Sequence, residues 1–253
     1  MAESLELTGV WKHSADGRRH VSVLKDVSLV VGRSEIVAVV GSQGAGKTTL
    51  LEVAAGIQPP DEGEVRVGGL ELVGLSGRAR ERLLGREIAW TDRKEPRLPW
   101  KAGDYVALPL ALGRGRREAR RLASKALERV GIAGCEERRW GELSVWERVL
   151  VGFARGIAGG PRLIVADDLL DGLSTRQTQE AGDLLRDLVE ELECAVLVSA
   201  ADLETALVAD RVWLFERGGR LKLMSDQSRG EAVVIDFPGG AGQRHGSSRS
   251  VGS

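Results

Sequence analysis

The sequence predicts an α/β fold with a mixed central sheet, and two patterns support this prediction. In the first, an apolar strand at residues 37–40 runs into the glycine-rich segment GSQGAGKTT at 41–49, and a helix follows. In the second, two continuous apolar runs at 163–166 and 195–198 flank a segment whose leucines recur at helical spacing. Apolar strands separated by a helix are typical of a parallel sheet that is covered on both faces.

The glycine-rich segment predicts a phosphate-binding loop. Its glycines let successive backbone N–H groups point inward, and the following helix directs its N-terminal dipole at the same place. Lys47 would reach the β- and γ-phosphates of a nucleotide, and the Thr48 hydroxyl would ligate a bridging Mg²⁺. The alternative is a flexible glycine turn, which does not explain the Lys-Thr pair. The residues expected to bind nucleotide are Gly41, Ser42, Gln43, Gly44, Ala45, Gly46, Lys47, Thr48 and Thr49.

Length and composition predict one large globular domain or one domain with a subdomain. The 253 residues are 42% hydrophobic and 29% charged, which is enough to bury a full core. A formal net charge of −1 gives no global attraction to nucleic acid or to an anionic membrane. Cys135 and Cys194 have no Cys or His at metal-ligand spacing, so we expect buried or neutral thiols in a reducing compartment.

No targeting or membrane-spanning segment is evident in the sequence. The first ten residues lack a basic start and an apolar run, and no stretch of about 18 uncharged apolar residues occurs. We therefore expect the chain to stay in the cytosol and to meet a membrane through a partner.

The patterns along the chain divide it into an N-terminal antiparallel sheet, an inserted helical segment and a return to parallel strands. The β-forming residues between 5 and 40 predict the antiparallel sheet, which feeds the phosphate-loop strand. Arg-rich amphipathic helices predict a helical subdomain at about 75–160; a solvated helix face explains their charge better than nucleic-acid binding does. We place the main domain at 1–238 and expect a disordered Gly/Ser/Arg tail at 239–253.

Two aspartates follow the apolar strand at 163–166, at the strand end where ligands of parallel sheets bind. Asp167 is the expected Mg²⁺ ligand, together with Thr48. Asp168 is a candidate base that would orient or deprotonate an attacking water, although a capping carboxylate explains it equally well.

The order of these features resembles the ATP-binding cassette (ABC) ATPases across residues 5–224. GSQGAGKT matches the Walker A loop of that family, RLIVADD matches its Walker B strand, and ELSVWERVLVGFARGIAGGP aligns with the helix that begins at the LSGGQ signature. The segments RLLGREIAW, DRKEPRLPW and DYVALPLAL resemble the branch that serves lipoprotein release, macrolide export and cell division. The resemblance implies a P-loop NTPase fold of ABC type and ATP with Mg²⁺ as cofactors.

The resemblance also implies that two subunits sandwich ATP head to tail, so that Ser144 acts in trans on nucleotide held by the other subunit. Several family positions are changed in this chain. Val145 and Trp146 stand where the family has two signature glycines, and Asp168 stands where it has the catalytic Glu. Ala201 takes the place of the switch His, Arg93 that of the loop Gln, and Ser174 that of the Asp after Walker B. An adenine-stacking residue is not fixed: Trp11 and His13 are candidates, and Trp11 is as readily a core residue.

These changes spare the residues that hold phosphates and alter those that activate water, so we expect ATP binding with weakened hydrolysis. The leading hypothesis is an ATP-binding subunit of an export or mechanotransmission complex, peripheral on the cytoplasmic face of the membrane. Its partners would be an integral-membrane permease and a second, more complete ABC ATPase subunit. The alternatives are slow hydrolysis through Asp168 and an unaligned residue, and a non-hydrolysing regulatory or scaffold subunit. The hypothesis of a cassette protein that acts on nucleic acid has less support, because no basic stripe in the sequence is interleaved with aromatic residues.

Overall fold

The computed structural model describes residues 3–16, 19–84, 86–92, 94, 96, 99–216 and 218–226. The strands are β1 (Leu5–Asp16), β2 (Arg19–Val31), β3 (Ile36–Val40), β4 (Glu62–Val67), β5 (Leu70–Glu71), β6 (Ile88–Asp92), β7 (Leu163–Asp167), β8 (Ala195–Ala200), β9 (Arg211–Glu216) and β10 (Arg220–Asp226). The helices are α1 (Lys47–Ala54), α2 (Gly77–Leu83), α3 (Ala102–Arg114), α4 (Arg116–Arg129), α5 (Val145–Ile157), α6 (Thr175–Leu192) and α7 (Leu203–Ala206), with a 3₁₀ turn at Trp140–Glu142.

The central sheet has the strand order β10-β9-β3-β8-β7-β6. Its strands from β9 to β6 are paired in parallel, and β10 is antiparallel to β9, so the sheet is mixed as predicted. Every residue of β3, β7 and β8 is buried, as the continuous apolar runs indicated. The strand that leads into the glycine-rich loop therefore lies between two neighbours inside the sheet.

A second, antiparallel sheet has the order β2-β1-β4-β5 and confirms the predicted N-terminal β region. Within this region, β2 is one long strand of 13 residues. After α1, β4 pairs antiparallel with β5 in this second sheet.

One strand lies within the range that the sequence predicted to be helical. β6 belongs to the central sheet and pairs in parallel with β7, with Ile88 opposite Leu163 and Asp92 opposite Asp167. Three of its residues, Ile88, Ala89 and Thr91, are buried. The segment 75–160 is thus not helical throughout. The sequence did not indicate β6, because a short strand is stabilised by its neighbour in the sheet rather than by a periodic pattern of its own. The predicted tail at 239–253 lies outside the described residues.

The core consists of two clusters on opposite faces of the central sheet. Successive residues of β3 alternate between them: Ile36, Ala38 and Val40 pack with the cluster that contains α3 to α6, whereas Val37 and Val39 pack with α1 and the antiparallel sheet. Because β3 is packed on both faces, the position of the loop that follows it is fixed by the core.

The two cysteines are buried, in agreement with the expectation of inert thiols. Burial raises the pKa of both, and that of Cys194 reaches about 11. A thiol with such a pKa stays protonated at neutral pH and is a poor nucleophile.

Candidate functional site

The predicted phosphate-binding loop joins β3 to α1. Lys47, the first residue of α1, is 9% exposed, and its ammonium lies over the loop, where it donates to the Gly41 carbonyl at 2.6 Å. Gly46 is the N-cap residue, and within the described chain no side chain caps this helix. The N–H groups of the first turn are therefore available to an anion.

Glycine is required at position 46 for two reasons. Its φ is +114°, which L side chains rarely adopt, and a Cβ at this position would lie 2.7 Å from Val23 Cγ1. At Gly44, where φ is +76°, a Cβ would meet nothing within 4 Å, so this side of the loop is open. The loop thus has room for a phosphate on one side and is closely packed on the other.

Thr48 and Asp167 lie side by side, as a shared metal site requires. The Thr48 hydroxyl donates to Asp167 Oδ2 at 3.0 Å, and Asp167 is 1% exposed. Hydroxyl and carboxylate oxygens are the ligands that Mg²⁺ prefers, and Mg²⁺ commonly takes one or two protein ligands with phosphates and water completing the octahedron. No cluster of three or more His, Cys, Asp or Glu side chains that could hold a metal occurs in the described residues. The pair therefore fits a Mg²⁺ that is bound together with a nucleotide.

Ser199, a residue that the sequence analysis did not single out, bridges the two aspartates. Its hydroxyl lies 2.9 Å from Asp167 Oδ1 and 3.0 Å from Asp168 Oδ1, and it accepts from the Asp168 N–H at 2.7 Å. One hydroxyl proton serves one carboxylate at a time. Asp168 itself has a φ of +49°. The candidate base is therefore held by its backbone and its carboxylate against β8.

A second contact that the sequence did not indicate comes from Lys94. Its Nζ lies 3.5 Å from Asp167 Oδ2, the same oxygen that accepts from Thr48. Seventy-three positions separate Lys94 from Asp167 in the chain. The parallel pairing of β6 with β7 brings the ends of these two segments together.

The N-terminus of α5 is closed by its own side chains. Ser144 is the N-cap residue: its hydroxyl accepts from the Glu147 N–H at 3.2 Å, and its own N–H donates to Glu147 Oε2 at 2.8 Å. The Arg138 guanidinium pairs with the Glu147 carboxylate and, with the Ser144 N–H, lowers the pKa of Glu147 to about 2. Glu147 is therefore ionised at neutral pH.

Val145 and Trp146, which the sequence analysis aligned with the two signature glycines, differ in exposure. Val145 is 48% exposed, whereas Trp146 is half-buried and packs against the larger core cluster. Of the two, Val145 is the more exposed side chain.

The remaining candidate positions lie after β8, at the start of α6, on β1 or outside the described residues. The Ala201 N–H donates to Asp171 at 3.1 Å, and Ser174 is the N-cap of α6, where its hydroxyl accepts from Gln177. Trp11 and His13 are neighbours on β1 with ring centroids 6.5 Å apart, and Trp11 is half-buried without joining either core cluster. Arg93 lies outside the described residues.

Comparison with known proteins defines the class. The model of the ABC transporter family matches residues 24–171, and the chain belongs to this family. It is an ATP-binding subunit of that class, with ATP and Mg²⁺ as cofactors, and the P-loop fold of ABC type is confirmed.

The relatives narrow the resemblance. The lipoprotein-releasing system ATP-binding protein LolD of Cereibacter sphaeroides is 39% identical over 221 residues, which cover 86% of this chain and 99% of the relative. The methionine import ATP-binding protein MetN 1 of Rhodococcus jostii is 35% identical over 233 residues, 88% of this chain and 68% of the relative. Among solved structures, the ATP-binding cassette MJ0796 in a dimeric post-hydrolysis state with ADP and Pi has a TM-score of 0.79 at 25% identity, covering 88% of this chain and 98% of the other. The predicted branch is confirmed by the lipoprotein-releasing relatives.

Proposed function

We propose that this chain holds Mg·ATP in the loop 41–49 and hydrolyses it slowly, as a subunit of an export or mechanotransmission transporter. The observation on which the proposal rests is the assembly of Lys47, Thr48 and Asp167 at the uncapped N-terminus of α1. Lys47 would bind the β- and γ-phosphates, and Thr48 with Asp167 would hold Mg²⁺, which neutralises phosphate charge when it is bound.

Weak hydrolysis follows from the groups around the γ-phosphate position. Asp168 is one methylene shorter than the glutamate of the family, and its carboxylate is within hydrogen-bond distance of Ser199. A misplacement of about 1 Å can reduce a rate on the order of 100-fold. Ala201 offers no imidazole. These features also support the second candidate, a regulatory or scaffold subunit that binds ATP without turnover.

Asymmetry between subunits is part of the proposal. In a head-to-tail dimer, Ser144 and the N-terminus of α5 act on the nucleotide of the partner. Val145 and Glu147 place a side chain and a negative charge at that end. In a homodimer of this chain, both nucleotide sites would be impaired. We therefore propose that the chain works opposite a second, more complete ATPase subunit.

A permease would dock on the groove between the helical region and the central sheet. The groove has a volume of about 620 Å³ and combines apolar residues with arginines, among them Trp90, Leu110, Arg86, Arg114 and Arg155. In the described part of the chain, no helix is long and apolar enough to cross a bilayer. The similarity to lipoprotein-releasing ATP-binding proteins supports a place for the chain on the cytoplasmic face of a membrane, beside the permease.

Titration calorimetry tests the binding step. Lys47→Ala removes the cation that faces the phosphates, and we expect ATP affinity to fall at least about 100-fold. Lys125→Ala is the matched control, because Lys125 is an exposed lysine on α4. Equal ATP affinity of the wild type and Lys47→Ala would contradict the assignment.

Mass determination of the native complex tests the second subunit. We expect a complex that contains this chain, a different ATPase chain and a permease. A transport-competent complex in which this chain is the only ATPase subunit would refute the asymmetric arrangement.

A further inference from the structure

Lys94 lies beside Asp167, one of the two residues that would hold the metal of a nucleotide site. Its Nζ is 3.5 Å from Asp167 Oδ2, and the Thr48 hydroxyl is 3.0 Å from the same oxygen. Asp167 is 1% exposed, so water has little access to this oxygen. The ammonium and a bound Mg²⁺ would therefore act on the same carboxylate oxygen.

The position of Lys94 is set by the sheet. β6 and β7 are paired in parallel with Asp92 opposite Asp167, and Lys94 follows two residues after the end of β6. The Lys94 N–H donates to Asp92 Oδ1 at 3.2 Å, which fixes the backbone at the root of the side chain. The side chain is 66% exposed and reaches Asp167 from the solvent side of the site.

Lys94 adds a positive charge to an edge of the sheet that holds several carboxylates. Asp167 and Asp168 are joined through the Ser199 hydroxyl, and both would face the phosphates of a nucleotide. Lys47 provides one positive charge at the loop, and Lys94 provides a second at Asp167. Without Lys94, neutralisation of Asp167 would depend on a divalent ion alone, because buried carboxylates repel phosphates unless a cation offsets their charge.

We propose that Lys94 is a built-in cation that neutralises Asp167 and allows this chain to hold ATP without Mg²⁺. The proposal rests on the proposed function, since it presupposes ATP in the phosphate-binding loop. An ammonium is a compact point charge on a flexible stem, so it can pair with Asp167 and approach an incoming phosphate. Mg²⁺, when present, would share Asp167 with Lys94 and contribute less to affinity than in a site that lacks the lysine.

Calorimetry of the full chain with ATP, in Mg²⁺ and in EDTA, tests the proposal. For the wild type and for Lys94→Arg, we expect removal of Mg²⁺ to weaken ATP binding by no more than about threefold. For Lys94→Met, which has a similar length and no charge, we expect a loss of about tenfold or more in EDTA. Lys125→Met is the matched control, because it removes a charge from an exposed position on α4.

Thermal unfolding gives a second measurement that does not depend on activity. ATP in EDTA should raise the Tm of the wild type and of Lys125→Met, and should have much less effect on Lys94→Met. A wild type that requires Mg²⁺ as strongly as Lys94→Met would overturn this inference and leave the proposed function intact. A wild type that binds no ATP in Mg²⁺ or in EDTA would overturn the proposed function and this inference with it.

Discussion

The N-termini of α1 and α5 are two helix ends of opposite construction. At α1 the N-cap is Gly46, no described side chain caps the helix, and the basic Lys47 is its first residue. At α5 the Ser144 hydroxyl accepts from the Glu147 N–H, the Glu147 carboxylate accepts from the Ser144 N–H, and Arg138 forms an ion pair with Glu147.

This difference indicates which end receives an anion. A helix N-terminus attracts negative charge, and at α1 that attraction is left for a ligand from outside. At α5 the attraction is already satisfied by Glu147, which is ionised at neutral pH. An incoming phosphate would meet a carboxylate there. This contrast supports the proposal that the first end holds the nucleotide of this chain and that the second would contribute little to the nucleotide site of a partner subunit.

The largest effect should come from distorting the glycine-rich loop at the N-terminus of α1. Gly46→Ala introduces a Cβ that would lie 2.7 Å from Val23 Cγ1 at a φ of +114°, so we expect ATP affinity to fall at least about 100-fold. Gly134→Ala is the control, because Gly134 also has a positive φ, +82°, but its Cβ would meet nothing within 4 Å. Calorimetry of both variants separates the two effects. Undiminished ATP binding by Gly46→Ala would show that the loop does not hold phosphate in this conformation.

Trp146 should contribute more to stability than Val145, its exposed neighbour. Because Trp146 packs against the core, Trp146→Ala should lower the free energy of unfolding by about 2 kcal/mol, less than for a fully buried tryptophan. Val145→Ala, at a 48% exposed position, should change it by less than about 0.5 kcal/mol. Urea unfolding measures both. Equal effects would show that the Trp146 ring is not held by the core.

Restoring the family residues near the γ-phosphate should increase turnover. Asp168→Glu extends the carboxylate past Ser199, and Ala201→His adds an imidazole, so the double variant should release phosphate roughly tenfold faster than the wild type. Adding Lys47→Ala to the same protein should remove the gain, which assigns it to this site. An unchanged rate of phosphate release in the double variant would indicate that the N-terminus of α5, and not Asp168 or Ala201, limits turnover.

The smallest effect concerns the closed end and depends on pH. The pKa of Glu147 is lowered from 4.5 to about 2, so its pairing stabilises the fold above pH 4.5 and is lost as the pH falls through about 2. The pair is partly exposed, and after discounting for solvent screening Glu147→Gln should cost about 1 kcal/mol at pH 7. Urea unfolding from pH 7 to pH 2 should show the two proteins converging in acid. A difference that is independent of pH would assign the cost to packing.

The sequence predicted those parts of the fold that depend on local patterns. The loop at 41–49 and the buried strands β3, β7 and β8 were identified because glycine positions and apolar runs are visible within a few residues. β6 was missed, because a strand of five residues takes its stability from pairing with β7. Ser199 and Lys94 were missed for a related reason. Each contacts Asp167 because neighbouring strands pair, and neither belongs to a sequence motif.

The most direct test of the account measures ATP binding and phosphate release in one sample of the isolated chain, freed of contaminating ATPase. The account predicts nearly stoichiometric ATP binding at the loop of α1, with phosphate release below about 0.1 s⁻¹ per chain. Release at roughly 1–10 s⁻¹ from the isolated chain would contradict it, because both helix ends would then support ordinary catalysis.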